Sequence, residues 1–183
     1  MAMLKDVADF FIALAQEMAE MDMGDAMTNL RLQKMLYFAQ GWMLMRHGTP
    51  LFEDSIEAWQ YGPVVPNCYE WYKGCGSNYL KAEMPSRDAF TKEEYELLLD
   101  TWTELSGYST AQLVSMTHEA GSPWDMIWNH SKQREITKEQ IEKFFSNHPL
   151  TETEDRLRQI PTVEPLYREN GVPVFSFREV SEQ

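Results

Sequence analysis

The sequence predicts a mainly α (α+β) fold, a compact bundle of about six helices with a small β element. Apolar residues recur at helical spacing in several separate segments. Thr-x-x-Glu and Thr-x-x-Gln patterns mark helix starts, and only short segments alternate as strands do. The 183 residues suit one domain with an appendage. We therefore expect a helical domain over 1–150 and a C-terminal extension over 151–183.

The first two predicted helices are long. An amphipathic helix is predicted over Leu4 to Met21, with apolar residues on one face and acidic residues on the other. Thr28 or Asn29 can cap a second helix, which runs to His47 and is stopped by Gly48. This second helix is apolar over most of its surface, so we expect it at the centre of the core. The residues expected to have a structural role there are Leu32, Met35, Leu36 and Phe38.

A strand and a short helix follow. Apolar and polar residues alternate over Ser55 to Tyr61, which predicts a strand that ends at Gly62-Pro63. Pro66 favours the first turn of a helix that continues to Lys73. Between strand and helix, the Gly-Pro-Val-Val-Pro segment is predicted to be a rigid turn.

Four further helices are predicted from the residues that begin them. In a capping box, the side chains of Ser or Thr and of Glu or Gln each satisfy the other's free backbone amide. Pro149 ends the last of these helices, and Glu93, Glu94 and Glu96 are expected in solvent at the start of the first. The predicted starting points are Thr91 with Glu94, Ser109 or Thr110, Pro123 with Trp124, and Thr137 with Gln140.

The pattern changes after Leu150. Prolines interrupt the remaining residues, and the one periodic piece is Val172 to Val180, which predicts an edge strand. We expect a linker followed by this strand, or an extension that faces a partner.

The charge and cysteine content exclude several classes of protein. The net charge is −13 and the pI is about 4.7, whereas a protein that binds nucleic-acid backbones usually presents a basic face. Nucleic acid is therefore not an expected partner, although a DNA-binding regulator is left open as an alternative. Two cysteines do not make a disulfide framework, and no segment has the pattern of a signal peptide or a transmembrane helix. We expect a cytoplasmic protein without membrane contact.

The usual patterns of metal and catalytic sites are absent from the sequence. Six residues separate Cys68 from Cys75, more than the two to four of a structural zinc site, and the histidines are scattered. There is no Gly-x-Ser-x-Gly pattern, and no lysine follows the glycines around Cys75 as in a phosphate-binding loop. We predict no cofactor, no metal and no enzymatic activity. A hydrolase that uses Cys68 or His118 is the alternative left open.

The aromatic segment Trp59 to Tyr72 is the strongest candidate for function. Aromatic side chains with a polar tip give large contact areas at low entropic cost, as protein-binding hot spots do. The same residues could instead anchor a strand-to-helix corner in the core. Gly62 is expected to give backbone freedom before the fixed ring of Pro63, and Trp124 to pack against the same region. The predicted partner-binding residues are Trp59, Tyr61, Gly62, Pro63, Val64, Tyr69 and Trp124.

Three segments resemble, in order, the signatures of the Panacea-domain family, which includes SocA-like antitoxins and GepA-type phage-associated proteins. The first is Thr-Asn-Leu-Arg-Leu-Gln-Lys-Met-Leu-Tyr-Phe-Ala-Gln-Gly-Trp over 28–42. The second is Glu-Ala-Trp-Gln-Tyr-Gly-Pro-Val-Val-Pro over 57–66, and the third is 113–124, with Thr-His-Glu and Gly-Ser-Pro-Trp. The resemblance covers about 25–145 of the chain.

The resemblance implies an antitoxin that neutralises a cognate toxin by direct contact, often encoded in a prophage or another mobile element. Such proteins are mostly helical with a small β element, and the family has no catalytic residues to carry over. One SocA-like member delivers its toxin to a protease, so an adaptor for an AAA+ protease is an alternative function. A prophage-associated protein with another binding role is a second alternative, and a homo-oligomer is left open. An acidic antitoxin would associate quickly with a basic toxin. Partner specificity is expected to differ in Met1 to Gly24 and Thr151 to Gln183.

Overall fold

The computed structural model describes residues 1–22, 24–131 and 133–150, together with the backbone of 167–169 and 172–174. Seven α-helices and a three-stranded sheet lie in the first compact unit, Met1–Leu150. This confirms the prediction of a mainly α bundle with a small β element. The helices are α1 (Leu4–Glu20), α2 (Asn29–His47), α3 (Pro66–Tyr72), α4 (Lys92–Leu105), α5 (Thr110–Thr117), α6 (Pro123–His130) and α7 (Lys138–Phe145). Short 3-10 helices span Lys73–Cys75 and Arg87–Ala89.

Helix α2 is the centre of the core, as its apolar composition predicts. It packs against α1, α4, α5 and α7, and also against the sheet. The hydroxyl of Thr28 accepts a hydrogen bond from the backbone amide of Arg31 and caps the helix. Gly48 ends it in the left-handed region, at φ 64°. The side chains predicted to be structural are all buried, namely Leu32, Met35, Leu36 and Phe38.

The sheet is an antiparallel hairpin with a third short strand, in the order β2-β1-β3. The strands are β1 (Ile56–Trp59), β2 (Gly62–Val64) and β3 (Glu135–Ile136). The prediction that Gly62-Pro63 ends the strand was therefore wrong, because the turn is Gln60-Tyr61 and a second strand begins at Gly62. Pro63 fits there because β2 is an edge strand, where the proline's missing amide breaks no bond to β1.

The helix starts largely follow the predictions, with one correction. Capping boxes form at Thr91 and at Thr137 as expected, and Ser109 caps α5. Glu94, however, is buried at 2% exposure instead of lying in solvent. Its carboxylate accepts from the backbone amide of Thr91 at 2.8 Å and lies 2.6 Å from the amino group of Met1. These two partners compensate the desolvation of the carboxylate.

The second unit, Thr151–Gln183, is described only through two antiparallel strands, β4 (Tyr167–Glu169) and β5 (Val172–Val174). The first part of the predicted strand Val172 to Val180 is thus a strand, and its remainder lies outside the described residues. No helix in the described parts of the chain is long and apolar enough to cross a membrane.

Candidate partner-binding site

Two polar side chains of α2 close the outer edge of strand β2. The Lys34 ammonium group donates to the carbonyl of Pro63 at 2.9 Å. The Gln33 side-chain oxygen accepts from the backbone amide of Val65 at 2.9 Å, and its amide group donates to Asn29 at 3.0 Å. An edge strand normally leaves such groups open to pairing with another chain. Here they are satisfied within the fold.

The turn of the hairpin is held by the third signature segment. The indole N–H of Trp124 donates to the carbonyl of Trp59 at 2.7 Å. Nε2 of His118 lies 3.4 Å from the carbonyl oxygen of Gln60, and its ring centre lies 3.7 Å from that of Trp124. The expectation that Trp124 packs against this corner is confirmed. Side chains from α2 and from the α5–α6 region thus contact four backbone groups between Trp59 and Val65, three of them through hydrogen bonds.

Gly62 is required here by two constraints. Its φ is 102°, which residues with a side chain rarely adopt. A Cβ at this position would also lie 2.6 Å from the Lys34 ammonium nitrogen and 2.7 Å from the Thr117 hydroxyl oxygen. The sequence predicted the first constraint. The second depends on long-range packing and is visible only in the structure.

Lys34 is a buried amine whose hydrogen bond goes to a backbone carbonyl. Its side chain is fully buried, and no carboxylate in the described part of the chain forms an ion pair with it. Burial lowers the pKa of Lys34 to about 7, because desolvation disfavours the charged form. Lys34 therefore acts as a hydrogen-bond donor to the hairpin edge more than as a surface charge.

The predicted site residues divide into an exposed group and a supporting group. Tyr61 is 62% exposed at the turn. Trp59 and Tyr69 are half-buried, with their rings in edge contact at 5.0 Å between centres. The remaining four are buried beneath them, namely Gly62, Pro63, Val64 and Trp124. The corner thus combines both sequence interpretations, because a packed base supports an exposed aromatic tip.

A groove of about 390 Å³ lies beside this tip, between the start of α2, the hairpin and α3. The edge contact of Trp59 and Tyr69 forms one part of it, and Leu30, 38% exposed, another. The Trp59 indole N–H donates to Glu57 at 2.8 Å, and the Asn29 side chain donates to the Tyr69 carbonyl at 3.2 Å. These bonds fix the walls of the groove. It is lined by Asn29, Leu30, Gln33, Trp59, Gln60, Tyr61, Val64, Tyr69, Lys73 and Gly76.

Sequence reasoning missed four residues of this site: Leu30, Gln33, Lys34 and His118 had no predicted role in binding or in holding the corner. The sequence did contain a signal for Gln33 and Lys34. Gln33 and Lys34 are polar residues inside a helix that is otherwise expected to be buried, and buried polar groups need partners. Those partners, the backbone of Pro63 and of Val65, lie about thirty residues away along the chain.

The geometry does not support Cys68 as a catalytic nucleophile. Cys68 is fully buried, and burial raises the pKa of its thiol to about 12. A thiol needs a lowered pKa to act as a nucleophile near neutral pH. Among the described residues, no group of three or more His, Cys, Asp or Glu side chains is arranged to hold a metal ion.

Comparison with known proteins gives two matches. Residues 32–125 match the family model described as antitoxin SocA-like, Panacea domain. The chain is also 37% identical over 116 residues to antitoxin SocA of Caulobacter vibrioides, an alignment that covers 56% of this chain and 60% of that protein. The chain thus spans less than two thirds of the relative's length. No solved structure matches significantly. The four side chains that contact the hairpin corner, Gln33, Lys34, His118 and Trp124, all lie inside the matched region. The chain belongs to the SocA-like antitoxin family with a Panacea domain.

Proposed function

We propose that this protein is an antitoxin that neutralises a cognate toxin by direct protein–protein contact, made at the hairpin corner. The similarity to antitoxin SocA supports the antitoxin role. Cys68 is buried and the raised pKa of its thiol leaves little thiolate near neutral pH, which agrees with a binding protein more than with a cysteine hydrolase. The acidic net charge of −13 would speed association with a basic toxin.

The three signature segments meet at one hairpin, and this supports the hairpin as the site of the contact. Gln33 and Lys34 belong to the first segment, the hairpin is the second, and His118 and Trp124 belong to the third. A short turn that is held by several side-chain contacts is rigid. A rigid aromatic side chain loses little entropy on binding. Tyr61 is the residue that this arrangement presents to a partner.

The test is co-expression of the chain with the product of its adjacent gene, each from its own inducible promoter. We expect the neighbouring product alone to arrest growth, and the wild-type chain to restore growth and to co-purify with it. Tyr61→Ala should weaken binding by at least about tenfold, the cost typical of a hot-spot residue. Tyr79→Ala is the matched control, because Tyr79 is 61% exposed but does not line the groove.

Four outcomes would contradict the proposal. The antitoxin role is wrong for this pair if the neighbouring product is harmless. It is also wrong if that product is toxic but the wild-type chain neither binds nor counteracts it. If Tyr61→Ala and Tyr79→Ala weaken binding equally, the hairpin is not the contact. Growth rescue that disappears in a strain without the relevant AAA+ protease would indicate an adaptor that delivers the toxin for degradation.

A further inference from the structure

Two concave regions border the hairpin turn. One is the groove beside Leu30, Trp59 and Tyr69. The other is an open depression of about 550 Å³, lined by Tyr108, Gln112, Ser115, Met116, His118 and Glu119. His118 connects them, since its Nε2 lies 3.4 Å from the carbonyl of Gln60, which lines the groove. This contact brings the edge of the depression to the turn that carries the exposed Tyr61.

Carboxylates lie in or beside both concave regions. Of the residues that line the two concave regions, Lys73 is the one lysine or arginine, and Glu70 neutralises it through an ion pair. Glu57 places a carboxylate against Trp59. In the depression, the Glu119 side chain is 56% exposed, and its nearest ionic contact is His148 at 3.8 Å. A cationic side chain of a partner could pair with the exposed Glu119 carboxylate, since no lysine or arginine lines the depression around it.

The apolar character of the groove points to a second feature of the partner. Leu30, Val64 and the edge contact of Trp59 with Tyr69 form an apolar wall, and the one charged lining residue of the groove, Lys73, is paired with Glu70. Such pockets accept one aliphatic or aromatic anchor side chain, which contributes most of the binding energy while polar rim residues set specificity.

We propose that this surface binds a basic peptide segment of the partner protein, with an apolar side chain in the groove and a lysine or arginine beside Glu119. The inference rests on the proposed function and deepens it, because it names the chemistry of the toxin segment. Tyr61 lies between the two contacts and covers the backbone of the segment. Apolar anchoring gives the affinity, and the carboxylates give the preference for a basic sequence.

A random dodecapeptide phage library tests the chemistry without any knowledge of the toxin. The library is panned on the full wild-type chain after counter-selection on a Leu30→Asp/Tyr61→Ala double variant. We expect enriched peptides to combine Leu, Phe or Trp with at least one Lys or Arg. Enrichment of acidic peptides, or no enrichment beyond that on the double variant, would overturn the proposal.

A titration of one synthetic enriched peptide then separates the two contacts. Tyr61→Ala should weaken its Kd by about tenfold or more, whereas Tyr79→Ala should leave it unchanged. Glu119→Gln should weaken binding by about two- to fivefold and flatten its salt dependence, as expected for a charge at the rim of an interface. Glu139→Gln is the matched control, since it removes the same charge from an exposed position lining neither region. Equal effects of the two glutamate changes would contradict the placement of the basic residue.

The two proposals can fail separately. If the peptides bind as expected but the wild-type chain does not counteract the neighbouring gene product, the surface is correct and the antitoxin role is wrong for that pair. If the chain neutralises the toxin but Leu30→Asp and Glu119→Gln have no effect on toxin binding, the antitoxin role stands and the basic-segment inference is wrong. Unchanged thermal unfolding of each variant ensures that lost binding does not reflect lost folding.

Discussion

At the scale of single residues, Lys34 differs most from what the sequence suggests. In the sequence it is an ordinary lysine within a helix, but in the structure its amine is buried. Lys34 donates to the carbonyl of Pro63 from a fully buried position. A charged lysine in that place costs desolvation energy, and the pKa of about 7 reflects that cost. The amine nevertheless satisfies a carbonyl that would otherwise be buried without a partner.

The first prediction concerns how stability depends on pH. The pKa of Lys34 is lower in the folded state than its ordinary value of 10.5, so between about pH 7 and 10.5 the unfolded chain binds more protons at this site. Its contribution to the free energy of unfolding should therefore rise with pH in that window, by up to about 1.4 kcal/mol per pH unit.

Urea unfolding at pH 6, 8 and 9 measures this effect. The wild-type chain should gain stability relative to Lys34→Met as the pH rises, because methionine has a similar shape but neither titrates nor donates. Lys143→Met, a change at an exposed lysine, provides the control and should follow the wild type. A constant difference between wild type and Lys34→Met at all three pH values would mean that Lys34 remains charged in the fold.

The second prediction concerns the space at Gly62. Gly62→Ala combines an unfavourable φ of 102° with a Cβ 2.6 Å from the Lys34 nitrogen. We expect a loss of about 2–4 kcal/mol in the free energy of unfolding, from backbone strain and overpacking together. Gly74→Ala should be near neutral, since an added Cβ there meets no atom within 4 Å. Similar losses for both variants would show that the close approach at Gly62 is relieved easily.

At the scale of elements, the hairpin is held from both sides of its turn. Trp124 contributes through its indole N–H, which reaches the carbonyl of Trp59. Trp128 stacks on Trp124 at 5.9 Å between ring centres, but it is 44% exposed. The two tryptophans of α6 therefore make a matched pair, in which Trp124 bonds the hairpin and Trp128 stacks on Trp124.

The third prediction follows from that pair. Trp124→Phe keeps most of the ring but removes the donor, which should cost about 1–3 kcal/mol because the Trp59 carbonyl loses its partner. Hydrogen exchange of the hairpin amides should accelerate, whereas exchange in α2 should change only by the global loss of stability. Trp128→Phe should change the free energy of unfolding and the exchange of the hairpin amides by much less. If the hairpin amides exchange no faster in Trp124→Phe, the bond to Trp59 does not stabilise the turn.

The same elements indicate how far sequence reasoning could go. Helix α2 was predictable from end to end, because Thr28, Gly48 and a wide apolar surface are local signals. Strand β2 was not, since a proline in a strand normally argues against one and its edge position is a property of the sheet. Of the site, the exposed Tyr61 was predicted. The contribution of His118 was not, because its contact with Gln60 spans 58 residues of sequence.

At the scale of the whole molecule, two expectations about partner specificity compete. The family resemblance places specificity in the terminal segments, including Thr151 to Gln183. The contact that we propose at the hairpin lies within Met1–Leu150, the unit that contains the buried core and the side chains that hold the hairpin. Trp42 also donates to the carbonyl of His148 at 3.0 Å, so this unit is tied together up to its last residues.

Truncation of the chain after Thr151 decides between them. Because the core and the hairpin bonds lie before that point, we expect cooperative thermal unfolding with a Tm within about 3 °C of the full chain. If the hairpin corner is sufficient for binding, the affinity for the toxin should stay within about threefold, since lost rim contacts cost little compared with hot-spot residues. A stable truncated chain that binds more than about tenfold more weakly would assign a major contact to the extension. Tyr61→Ala in the truncated background would then measure how much of the remaining affinity belongs to the hairpin.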